Sequence, residues 1–75
     1  MEKIKKMLRL ENPIEAFLIF DYCEFEEIKK FAKVFHVTES EFLEEKEKRA
    51  FSDSTVLQWL IIKKLKERKS HERTR

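Results

Sequence analysis

The stretch DSTVLQWLIIKKLKERK, residues 53–69, decides the architecture. It is long for so short a chain and has no glycine or proline to interrupt a helix. At 100° per residue, Val56, Leu57, Leu60, Ile61 and Leu65 share one broad face. Trp59 and Ile62 fall on the other side, next to Lys63 and Lys66. A helix resting on one core needs no Trp and Ile on its back. Two arrangements account for them. In the first the helix is central and the shorter elements wrap around it. In the second Trp59, Ile62 and Lys66 form a protein interface, because tryptophan removes much apolar area from water at little rotamer cost.

Working back from this helix, the starts of the other segments are legible. Asn12-Pro13-Ile14-Glu15 places a capping residue first, proline at N1 and glutamate at N3. Asp21-Tyr22-Cys23-Glu24 repeats the cap-x-x-Glu pattern, with Phe20 and Phe25 at the staple positions. Thr38-Glu39-Ser40-Glu41 does so again between Val37 and Phe42, and Ser52 caps the last helix between Phe51 and Val56. The spacing predicts helices over 2–10, 13–20, 22–35, 39–49 and 53–69. Residues 16–20 could also read as a short buried strand, but the Asn-Pro-x-Glu start favours helix. The apolar stripes are Ile4, Met7 and Leu8; Ile14, Phe17 and Leu18; Phe25, Ile28, Phe31, Ala32 and Phe35; and a thin one of Phe42, Leu43 and Ala50. The expected fold is therefore all-α: a small bundle of four to five short helices with a longer C-terminal helix, forming a dimer. One helical domain covers 1–69, and a basic, disordered tail covers 70–75.

Composition supports this reading. A chain of 75 residues with no glycine and one proline suits helices and not hairpins. Charged residues are 43% of the chain, a level found in disordered proteins, but seven Phe, a Trp and a Tyr supply material for a packed core. So small a core is marginal without a staple, a metal or a partner. Cys23 is the only cysteine, so no internal disulfide forms, and no Cys/His cluster offers a zinc site. Good helix packing, oligomerisation, or both are the remaining support. The start, Met1 to Lys6, has no apolar signal-like region, and no apolar run approaches a membrane span, so an intracellular, cytoplasmic protein is expected. In composition, though not in any motif, the chain resembles small accessory proteins of phages, plasmids and archaeal viruses. Charge is distributed as +3 over residues 1–10, −6 over 11–53 and +5 over 54–75.

Residues 28–45 are IKKFAKVFHVTESEFLEE. Ala32 falls where a small residue packs between two helices, and Phe31, Phe35, Val37 and Phe42 take the apolar positions around it. The stretch resembles a helix-turn-helix and the closing helices of Cro/repressor-type domains, over about a quarter of the chain. The resemblance implies a second helix lying in a major groove. Two departures stand against that role. His36 occupies the position glycine normally takes in the turn. The second helix carries Glu39, Glu41, Glu44, Glu45 and Glu47, which repel phosphates. A ribbon-helix-helix is disfavoured as well, because a strand at 16–22 would present bulky apolar groups to the bases.

Chemistry is sparse. His36 has no sequence-local partner, and His71 lies in the basic tail. Cys23 is surrounded by Asp21, Glu24, Glu26 and Glu27, which oppose thiolate formation. No glycine loop can cradle a phosphate. No catalytic residue, cofactor site or metal site is expected, and the chain is read as a non-enzyme. The expected function is a small regulatory or interaction protein acting through helix-mediated protein–protein contacts. It would form a homodimer, or serve as an inhibitor or adaptor for a partner, whose basic surface an acidic helix could cover. The alternative is a helix-turn-helix-like nucleic-acid-binding regulator using Lys63, Lys64, Lys66, Arg68, Lys69, Arg73 and Arg75, with help from Lys3, Lys5, Lys6 and Arg9. A third possibility is a small subunit of a larger assembly.

Overall fold

A computed structural model describes the backbone of residues 2–73 and the side chains of residues 2–68. Helix α1 spans Glu2–Arg9, α2 Ala16–Phe20, α3 Phe25–Val34, α4 Glu39–Lys48 and α5 Asp53–Arg73, with a 3₁₀ turn over Pro13–Glu15 leading into α2. The described residues contain no strand. The stretch 16–20 is helix, as its capped start implies. Asn12 accepts a hydrogen bond from the Ile14 N–H at 3.2 Å, and Pro13 sits where no backbone donor is needed.

α5 is the axis of the molecule. It packs on α2, α3, α4 and the 3₁₀ turn, while α1 packs against α2. Its Leu57, Ile61, Ile62 and Leu65 join Met7 of α1, Ala16 and Phe20 of α2, and Ile28, Phe31, Ala32 and Phe35 of α3 in one core. The globule measures 34 × 27 × 18 Å. Among the described residues no polar side chain is buried, so the core is held by apolar burial alone.

Two boundaries differ from the sequence pattern by more than one residue. α3 begins at Phe25 and not at Tyr22, and its N-cap is Glu24, whose side chain makes no capping bond. Asp21 instead closes α2. The Tyr22 and Cys23 N–H groups turn back onto the Ile19 and Phe20 carbonyls, using up the residues expected to start the next helix. Lys3 of α1 pins this turn by donating to the Tyr22 carbonyl at 3.2 Å and to Glu27 at 3.0 Å. The second boundary is the end of α5, which continues to Arg73, beyond the expected stop at 69. The tail expectation covers 70–75, of which residues 74 and 75 lie outside the described residues, as do all the side chains of 69–75.

Candidate functional site

Ile62 is 0% exposed within the single chain. Of the two apolar residues on the back of α5, Ile62 therefore belongs to the chain's own core. The helical wheel placed Ile62 outside because it assumed one core-facing stripe. α2 and the 3₁₀ turn pack on α5, as do α3 and α4. Trp59 is half-buried. Its ring meets Phe17 of α2 edge-on, with centroids 5.3 Å apart and planes at 80°. Arg49, which ends α4, lies 5.8 Å from the Trp59 ring and 5.8 Å from the Phe51 ring, and its Nε donates to Glu45 at 3.0 Å. The expected interface residues Trp59, Ile62 and Lys66 do converge. With Lys63, Glu45 and Arg49 they line a cleft of about 210 Å³. Arg49 had escaped notice, although its spacing from Glu45 and its closeness to Phe51 were signals of a capped, ring-stacked helix end.

The basic set is only partly free. Lys64 is engaged by Glu41 of α4 at 2.8 Å, which with the Thr38 N–H and hydroxyl holds the Glu41 carboxyl down from its ordinary 4.5 to about 2. Lys3 is held by Glu27, and that hydrogen bond lowers the Glu27 carboxyl below its usual range. Lys63, Lys66 and Arg68 are exposed or nearly so on α5. The side chains of Lys69, Arg73 and Arg75 lie outside the described residues.

The turn between α3 and α4 is made without glycine. His36 adopts φ +60°, the left-handed conformation that costs any residue with a Cβ. Around it the His36 N–H reaches the Lys33 carbonyl at 3.1 Å and the Val37 N–H the Ala32 carbonyl at 2.9 Å. This pair of bonds is the Schellman closure of α3. α4 then opens on a complete capping box between Thr38 and Glu41. Its outward face presents Glu39, Ser40, Leu43, Glu44 and Glu47, and none of its residues is fully buried.

A second, larger concavity of about 520 Å³ opens between α3, α4 and the start of α5. Phe25, Ala32, Val37, Phe42 and Leu57 line it. Lys29 and Lys33 stand on the α3 wall, whereas Glu39 and Asp53 stand on the opposite wall, at the first positions of α4 and α5. Phe25 is 41% exposed, with the Lys29 ammonium 5.0 Å from its ring. Reading by stripes had placed Phe25 and Phe42 in the core. Phe25 is partly exposed because the late start of α3 puts it at a helix end, whereas Phe42 of α4 is half-buried against the core.

Burial pushes the Cys23 thiol up, and its Sγ donates to the Ile19 carbonyl at 3.4 Å. Among the described residues no group of three or more His, Cys, Asp or Glu side chains is placed to hold a metal, and no helix is long and apolar enough to cross a membrane. Compared with protein-family models, curated proteins and solved structures, the chain matches none of them.

Proposed function

We propose that this is a non-enzymatic interaction protein that binds a helix of another polypeptide chain in the groove between α3, α4 and α5. The observation that carries this reading is the groove itself, an apolar floor of Phe25, Val37, Phe42 and Leu57 between charged walls. An amphipathic helix lays its apolar side chains into such a groove and meets the walls with its polar flanks. The acidic outer face of α4 would turn nucleic acid away and leave the protein selective for polypeptides. Trp59 serves the fold in this reading: Phe17 and Arg49 occupy its two sides, so it braces α2 and α4 against α5.

Selection of helical peptides displayed on phage against the folded protein tests the proposal. Peptides should be recovered whose affinity falls at least ~10-fold on Phe25→Glu, a loss of about 1.4 kcal/mol. Glutamate is well tolerated in the first turn of a helix, so this change leaves α3 intact. If no selected peptide responds to Phe25→Glu or Phe42→Ala, the groove is not the binding surface.

The left-handed turn at His36 favours a second reading, a helix-turn-helix regulator that touches phosphates through Lys63, Lys66 and Arg68. It requires duplex binding that weakens steeply with salt. The absence of binding at low salt removes it.

A further inference from the structure

The cleft beside Trp59 differs in its charges from the groove between α3, α4 and α5. Three cationic side chains line it: Arg49 from the end of α4, and Lys63 and Lys66 from α5. The one carboxylate in the lining is that of Glu45. It is already engaged, accepting the Arg49 Nε–H at 3.0 Å, and it is turned inward at 17% exposure. Lys63 and Lys66 are exposed and make no ion pair among the described residues, in contrast to Lys64, which Glu41 holds. The lining therefore leaves both ammonium groups unanswered. The remaining wall is apolar, made by Trp59, Leu60 and Ile62. We infer that this cleft binds a small aromatic anion, a single ring carrying one carboxylate or phosphate.

Trp59, Ile62, Lys63 and Lys66 are spaced i, i+3, i+4 and i+7 along α5, so the indole and both ammonium groups rise from one face of the helix. Arg49 faces them from α4. Its Nε is committed to Glu45, while its two terminal nitrogens make no hydrogen bond among the described residues. A guanidinium offers paired N–H donors that match a carboxylate or phosphate, and such charge-assisted bonds are stronger than neutral ones. The Trp59 ring is half-buried and held edge-on by Phe17 at 5.3 Å. A wall fixed in this way meets an aromatic ligand without a further cost of ordering. Size narrows the ligand. At about 210 Å³ the cleft is smaller than the ~300–1,000 Å³ typical of pockets for drug-sized molecules, which suits a single ring. The cleft shares no lining residue with the α3–α4–α5 groove, so this site stands or falls independently of helix binding there. A duplex held through Lys63, Lys66 and Arg68 would have no use for the indole.

The test is titration with hydrocinnamate and with phenyl phosphate, followed through the indole N–H resonance of Trp59, the one tryptophan of the chain. At least one of the two anions should shift that resonance saturably, with Kd on the order of 1 mM, an affinity within reach of a ligand this small. The tighter of the two names the anionic group. The neutral amide of hydrocinnamate, which keeps the ring and loses the charge, should bind ~10-fold more weakly or not at all. Inorganic phosphate, which keeps the charge and loses the ring, should do the same. The double variant Lys63→Gln/Lys66→Gln should lose ~10-fold in affinity for the anion and none for the amide. Both lysines are exposed, so the substitutions leave the fold intact, and far-UV dichroism checks this. No saturable shift with either anion overturns the inference. So does a double variant that binds the anion as the wild type does, or inorganic phosphate that binds as tightly as phenyl phosphate.

Discussion

α4 and α5 follow one another in the chain and are held by opposite means. α5 buries Val56, Leu57, Leu60, Ile61, Ile62 and Leu65, each at 9% exposure or less. α4 buries no residue fully and leaves Leu43 54% exposed. Beyond the half-buried Phe42, what holds α4 is polar: the Thr38–Glu41 box, the ion pair of Glu41 with Lys64, the Lys46–Asp53 pair and Arg49 on Glu45. Packing is worth several kcal/mol per large side chain, whereas exposed pairs contribute a fraction of one each. One helix is therefore the frame, and the other is clipped onto it by contacts that salt and acid can loosen.

The comparison can be broken most severely at Ile62. Ile62→Ala should cost about 3 kcal/mol, a large part of the stability of a domain this small, and urea denaturation should show all helices lost together. Thr38→Ala should cost about 1 kcal/mol. Here amide exchange should rise in α4 well before α5, since only the start of α4 loses its cap. His36→Gly should run the other way. Relieving the left-handed strain is worth about 0.5–1 kcal/mol, visible as a rise in Tm of a few degrees. The smallest effect concerns acid. The Glu41 carboxyl is lowered in the folded chain, so its contribution is fully present above about pH 4.5 and is lost as pH falls toward 2. Over that window α4 amides should lose protection before those of α5. An equal loss in both helices would mean that α4 is not a separately clipped element.

The same contrast explains what could be read in advance. Caps are local chemistry, and Asn12, Thr38 and Ser52 all act as their spacing implies, Ser52 by accepting from the Thr55 N–H at 3.3 Å. Asp21 failed the same test because the cap-x-x-Glu pattern competes there with packing. Burial of Phe20 and Ile28 and the Lys3 contact to the Tyr22 carbonyl draw the chain into a turn first. The all-helical class and the primacy of α5 were legible because periodicity reports which residues avoid water. The proposed binding surface was not. Whether Ile62 is covered, or Phe25 left open, depends on how three helices meet, and no single segment encodes that. The charged rims share this property, since Lys29, Glu39 and Asp53 are neighbours only after folding.

Trp59 is the one tryptophan of the chain, and its surroundings make it an optical gauge. Phe17 of α2 touches it on one side and the Arg49 guanidinium of α4 on another. Emission excited selectively from this indole should register the departure of α4 as a change in quenching and polarity, separate in denaturant from the dichroism signal that follows total helix. A single coincident transition would assign α4 to the same cooperative unit as α5. Two resolved transitions would put a number on how firmly the clipped helix is held, from a protein that requires no added label.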